Sequence, residues 1–249
     1  MRGTPDGRGA VDSAMLPHCR PPLWPAEISP GRLAASIRTD APDGCAVALI
    51  GLADDHGIRL NHGRPGAAEG PRAFRAALAR YGARDAADTV WPRVYDAGDV
   101  VGVPGEDLAA MHRRVTEATA AILERGMFPI AIGGGHDLTY PFVRAVAQRR
   151  AAPQGLVGVY FDAHLDVRES AGSGMPFRRL VEDCGVRGLH VHGLSPMANS
   201  REHLAWFQAH GGHVEPDAHP DDPWPEGDLF VSLDLDVIDQ AHAPGVSAM

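Results

Sequence analysis

Three short stretches of this 249-residue chain bring histidine and aspartate together at spacings that suit metal ligation. In Asp162-Ala-His164-Leu-Asp166, residues two apart on an extended chain point to one face, so three donors converge on one spot. Ser232-Leu-Asp234-Leu-Asp236 repeats the device with two more carboxylates, and Gly133-Gly-Gly-His136-Asp137 adds an imidazole after a glycine turn. Taken singly, an aspartate at a strand end more often caps a helix, and a histidine in a Gly-rich turn is more often structural. Three strand ends that each deliver same-face donors are hard to obtain from capping alone. Four carboxylates focused on one pocket without cations would repel, at a cost of roughly several kcal/mol each when buried. His136, Asp162, His164, Asp166, Asp234 and Asp236 are therefore expected to hold two divalent ions per chain. Carboxylates with two imidazoles and no thiolate suit Mn2+ better than zinc or copper, and Mg2+ seldom recruits imidazole. Two such ions about 3.5 to 4 Å apart activate water for hydrolysis at a trigonal carbon.

These donors need strand ends to carry them. Ala46 to Gly51 is a continuous apolar run of the kind buried on both faces of a parallel sheet. Further strands are predicted near Arg93 to Ala97 and at Phe128 to Ile132, Leu156 to Phe161, Leu189 to His192 and Leu229 to Leu235. Helices are predicted between them: Pro71 to Tyr81, Asp107 to Arg125, about Leu138 to Arg149, and Ser200 to His210. Such alternation reads as an α/β fold, three α-β-α layers around a mainly parallel sheet, with ligands collecting beyond the carboxyl ends of the strands. Residues 1–43, rich in Gly, Pro and Arg, read as a mostly irregular N-terminal segment with a docked piece around Leu23 and Trp24. Residues 44–249 read as one domain, and the sequence stops in a loop directly after the last of these strands.

Composition narrows the partners. The 32 acidic against 23 basic residues leave a net charge of -9, which argues against a nucleic-acid footprint and an anionic membrane surface. A small soluble substrate is the default. Cys19, Cys45 and Cys184 form no CxxC pair and no disulfide framework, which fits a reducing, cytoplasmic setting. No apolar run is long enough for a membrane span.

The three signatures, in this order, resemble those of the ureohydrolases: the arginase, agmatinase and formimidoylglutamase family. The resemblance covers about Ala46 to the last residue. It implies one manganese on His136, Asp162, Asp166 and Asp234 and the other on Asp162, His164, Asp234 and Asp236, with Asp162 and Asp234 bridging. It also implies an arginase-like parallel sheet in the order 2-1-3-8-7-4-5-6, of which this chain lacks the last strand and so leaves the domain incomplete. Within the family, Leu60-Asn-His-Gly63-Arg64-Pro-Gly66-Ala resembles the formimidoylglutamase form of the early loop. Ser173 stands where arginases and agmatinases keep a histidine, and the turn Gly193-Leu-Ser-Pro-Met-Ala-Asn199-Ser200 also resembles the formimidoylglutamase branch. Gln240 replaces the usual proline after Asp239.

The implied reaction is hydrolysis of N-formimidoyl-L-glutamate to L-glutamate and formamide, a step of histidine degradation. Asp166 or Asp137 would relay the proton. Arg168, Arg64, Ser173 and Asn199 are the candidate substrate contacts, since a guanidinium holds a carboxylate bidentately. A guanidino-compound ureohydrolase such as an agmatinase, and an inactive fragment or pseudoenzyme, remain alternatives. The resemblance is compatible with a homo-oligomer.

Overall fold

The computed structural model describes residues 15–83, 90–149, 155–215 and 223–246. Its strands form two four-stranded sheets. The first has the order β1 (Cys19–Arg20), β3 (Val94–Val101), β2 (Val47–Ala53), β4 (Phe128–Ile132); the second has the order β7 (Gly212–Glu215), β6 (Gly188–His192), β5 (Leu156–Phe161), β8 (Asp228–Leu233). All pairings are parallel except β1 with β3. The expected single sheet is thus found in two halves, and its break falls between β4 and β8, where the expected order puts a further strand. Phe128 on β4 and Val231 and Leu233 on β8 are exposed at this break.

Each half has its own core. Ala48, Ile50 and Leu52 of β2 and Tyr95 and Ala97 of β3 pack against Met111, Val115, Ala118 and Ile122 of α3 (Leu108–Glu124). On the opposite face lies α2 (Gly70–Leu78), whose Pro71 sits directly over Gly51. Helices on both faces give the three layers. In the second half, Tyr160, Leu189 and Val191 pack against Tyr140 and Val143 of α4 (Thr139–Arg149), Phe177 and Leu180 of α5 (Pro176–Cys184), and Phe207 of α6 (Arg201–Ala209). Phe142 of α4 touches both cores.

β3 runs four residues past its predicted end at Ala97, because the acids and the glycine there read as a turn. The register between β2 and β3 shifts so that Leu49 pairs with Asp96 and Gly51 with Asp99. Residues three apart on a regular strand face opposite ways; the bulge, with Gly98 at φ +86, puts both carboxylates on the α2 face. There Arg75 of α2 meets them, with Nη1 2.6 Å from Asp99 Oδ1 and Nε 2.7 Å from Asp96 Oδ2. All three side chains are buried, so the pairing fixes α2 on the sheet.

The N-terminal segment is more ordered than its composition suggests. Residues 1–14 lie outside the described residues, but Leu16 is buried, β1 adds an antiparallel edge to β3, and Leu33–Ser36 forms a turn of 3-10 helix. Trp24 docks as expected, donating its indole N–H to Asp96 at 2.9 Å. Beyond that segment, α1 (His56–Leu60), α5 and β7 also escaped prediction. Among the described residues, no helix is long and apolar enough to cross a membrane.

Candidate metal centre

The six predicted donors come together at the carboxyl ends of β4, β5 and β8. β5 and β8 run side by side with Phe161 opposite Leu233, and the N–H of Asp234 donates to the Phe161 carbonyl at 2.9 Å. Asp162 and Asp234 therefore leave neighbouring strands together. His136 arrives from the other half-sheet. Its approach depends on Gly133 and Gly134, both in the left-handed region; a Cβ at Gly134 would stand 2.1 Å from the Leu52 carbonyl oxygen. Phe177 of α5 meets the His136 ring edge to face, 5.4 Å between centroids, and so backs it from the second core.

One imidazole nitrogen faces three carboxylates: His136 Nδ1 lies 2.8 Å from Asp166 Oδ2, 3.0 Å from Asp234 Oδ2 and 3.4 Å from Asp162 Oδ2. His164 Nδ1 lies 2.9 Å from Asp236 Oδ2 and 3.5 Å from Asp162 Oδ1. Within each of these two groups the donor atoms all fall within 4.8 Å of one another. Asp162 belongs to both groups, as a bridging ligand should. Asp234 falls only in the first, because its other oxygen accepts the Asp236 N–H at 2.9 Å and caps the 3-10 turn Leu235–Val237.

The electrostatics match a site built for cations. Burial pushes the Asp162 carboxyl up to about 8, and its Oδ2 atom is buried without a hydrogen-bond partner. Burial opposes charge on His136, but Asp234 and Asp166 outweigh it and hold the imidazolium well above the ordinary histidine range. Hydrogen bonds to Asp162 and Asp236 lift His164 to about 10. Asp234 is held low despite burial, because His136 stands against it. Protons and imidazolium charge thus occupy the places that divalent ions would take, and the donor set fits manganese.

The other candidates separate into distinct positions. Asp166 adopts φ +46, a left-handed backbone unusual for a residue with a side chain, and remains partly open to solvent. Asp137 is sealed in: His112 Nε2 lies 2.9 Å from its Oδ2, while Gly57 and Gly135 crowd its Oδ1. Asn199 is spent on the ligand loop, accepting from the Leu165 N–H at 2.9 Å and donating to the Ala163 carbonyl at 3.1 Å. Arg64 donates to the Gly245 and Val246 carbonyls. Arg168 is exposed and makes no ion pair among the described residues; its stem lies across Gly174. Ser173 hydrogen-bonds Asn61 at 2.9 Å.

Three contributors were missed. Ser232 places its hydroxyl 3.3 Å from His136 Nε2, and its position two residues before Asp234 on the same strand face was a usable signal. His112 and Asn61 act across long sequence separations, which no local pattern reveals.

A model of the Arginase family matches residues 45–249. A formimidoylglutamase of Aeromonas salmonicida is 36% identical over 223 residues, covering 81% of this chain and 69% of that protein. Among solved structures, the formimidoylglutamase of Bacillus subtilis aligns with a TM-score of 0.74 at 25% identity, covering 91% of this chain and 76% of its own. A Trypanosoma cruzi formiminoglutamase with Mn2+ aligns with a TM-score of 0.66 at 30% identity. The chain covers 76% of its own length in that alignment and 65% of the Trypanosoma protein.

Proposed function

The chain belongs to the arginase family, and from that membership we propose that it is a binuclear manganese hydrolase that converts N-formimidoyl-L-glutamate and water to L-glutamate and formamide. The observation that carries the reading is the pair of donor groups sharing Asp162. The names of the relatives favour the formimidoyl substrate over a guanidino compound, and release of glutamate from it fits a step of histidine degradation.

Bound manganese would supply Lewis acidity, lowering the pKa of a water and offsetting negative charge that develops at the reacting carbon. The remaining work falls to side chains. Phe177, edge-on to the His136 ring, holds that imidazole in place. Asp166, itself one of the candidate donors and partly open to solvent, is assigned the proton transfer from water to the leaving glutamate nitrogen as the C–N bond breaks and the C–O bond forms. Asp137, enclosed with His112, instead braces the turn that presents His136. Arg168, exposed and without an ion pair among the described residues, is assigned the substrate carboxylate. We read the protein as cytoplasmic, in keeping with three free thiols, and as a homo-oligomer.

Assay of the Mn2+-loaded chain on N-formimidoyl-L-glutamate, agmatine and arginine tests this reading. Formamide release from the first is expected. Urea release from either of the others, without formamide, would replace it with a guanidino hydrolase, and no turnover on any would mark an inactive homologue.

A further inference from the structure

α1 is a short helix wedged between the turn that carries His136 and the loop that carries Arg168. On one side Gly57 lies so close to Asp137 that a Cβ there would stand 2.1 Å from the carboxylate. On the other, the Gly57 carbonyl accepts the Ser173 N–H at 3.0 Å. Immediately after the helix comes Asn61. With its oxygen turned toward the loop, the Asn61 carboxamide accepts from the Ser173 hydroxyl at 2.9 Å, the Gly174 N–H at 3.0 Å and the Ser173 N–H at 3.3 Å. This orientation is the one the surroundings demand, since backbone N–H groups can only donate. Gly174 in turn closes the loop on Arg168: its carbonyl accepts the Arg168 N–H at 2.8 Å, and the Arg168 stem packs over its Cα.

From this chain of contacts we propose that Asn61 is a positioning residue for substrate recognition: it clamps Ser173 and Gly174 so that Arg168 is held ready for the carboxylate of an amino-acid-derived substrate. Neither Asn61 nor Ser173 is a metal donor. Asn61 therefore sets where the substrate lies rather than whether metal binds. The inference rests on the carboxylate role of Arg168 given above.

Asn61→Leu removes the acceptor at similar volume, and Asn61→Asp keeps acceptor oxygens in place. With Mn2+ content matched, Asn61→Leu is expected to raise KM for N-formimidoyl-L-glutamate by about tenfold while kcat falls less than about threefold. KM for a carboxylate-free N-alkylformamidine should not change, and Asn61→Asp should stay within about threefold of the parent. Hydrogen exchange at the Ser173 and Gly174 amides should quicken in Asn61→Leu alone, and its affinity for the product L-glutamate should fall. Equal losses on both substrates, or failure of Asn61→Asp to rescue, would overturn the proposal. If the parent chain turns over no formimidoyl substrate, the proposed reaction fails, yet exchange and glutamate binding still decide the clamp. Unchanged exchange, or faster exchange with unchanged glutamate affinity, counts against it.

Discussion

His136 and Asp234 stand 3.0 Å apart although they arise from different half-sheets. The centre is therefore the place where the first half, through β4, grips the second, through β8. Removing His136 takes away a donor and this grip together. His136→Ala should lower Mn2+ from about two toward about one per chain and reduce formamide release by at least about a hundredfold. Atomic emission on dialysed protein checks the stoichiometry; retention of both ions would show that His136 is not a ligand.

Proton competition gives a second prediction. Asp162 is raised from 3.8 to about 8 and His164 from 6.5 to about 10. Both folded-state values exceed the unfolded ones, so the stability linked to each is present at low pH and lost as pH rises through the folded value. Metal-free protein should thus lose thermal stability between about pH 4, where the Asp162 contribution begins to go, and about pH 10, where the His164 contribution is spent, while apparent Mn2+ affinity climbs over the same interval as protons are displaced. Calorimetry in buffers of different ionisation enthalpy measures the protons released. Binding without proton release would contradict the assignment.

The buried Arg75 pair supplies a third. Arg75→Met leaves Asp96 and Asp99 charged, buried and facing each other, and should cost about 3 to 5 kcal/mol. Unfolding in urea reads this directly. A loss under about 1 kcal/mol would mean that the acids find other partners or water.

How much of this could be read from the chain alone follows the range of each signal. Phe128 to Ile132 and Leu156 to Phe161 were legible to the residue because they are apolar runs ending at glycine or at the ligands. That the six candidate donors would meet was legible because each motif is local, although Asp166 and the turn after Asp234 depart from the extended backbone expected of them. β3 was read too short because Asp96, Gly98 and Asp99 look like a turn until Arg75, more than twenty residues away, is known to pair with them. α5 was overlooked because Arg178, Arg179, Glu182 and Asp183 hide an apolar face of Phe177 and Leu180. The clamp of Asn61 on Ser173 joins residues 112 apart and leaves no trace in either segment.

The open edges of β4 and β8 give a fourth prediction. Among the described residues neither edge pairs with a further strand, and exposed apolar strand edges invite pairing with other copies. Phe128→Lys and Val231→Lys should reduce self-association in light scattering while changing stability by only about 0.5 kcal/mol. If the parent shows no concentration-dependent mass, or both variants associate as strongly, these edges are not sticky.

Finally, two apolar cores, with Phe142 packed against both, meet along a seam between the half-sheets. The seam is where the donors sit, so ligating an ion also rivets one half to the other. Manganese in such an arrangement is a structural fastener as well as a reagent, and scarcity of the metal would be felt first as breathing between the halves.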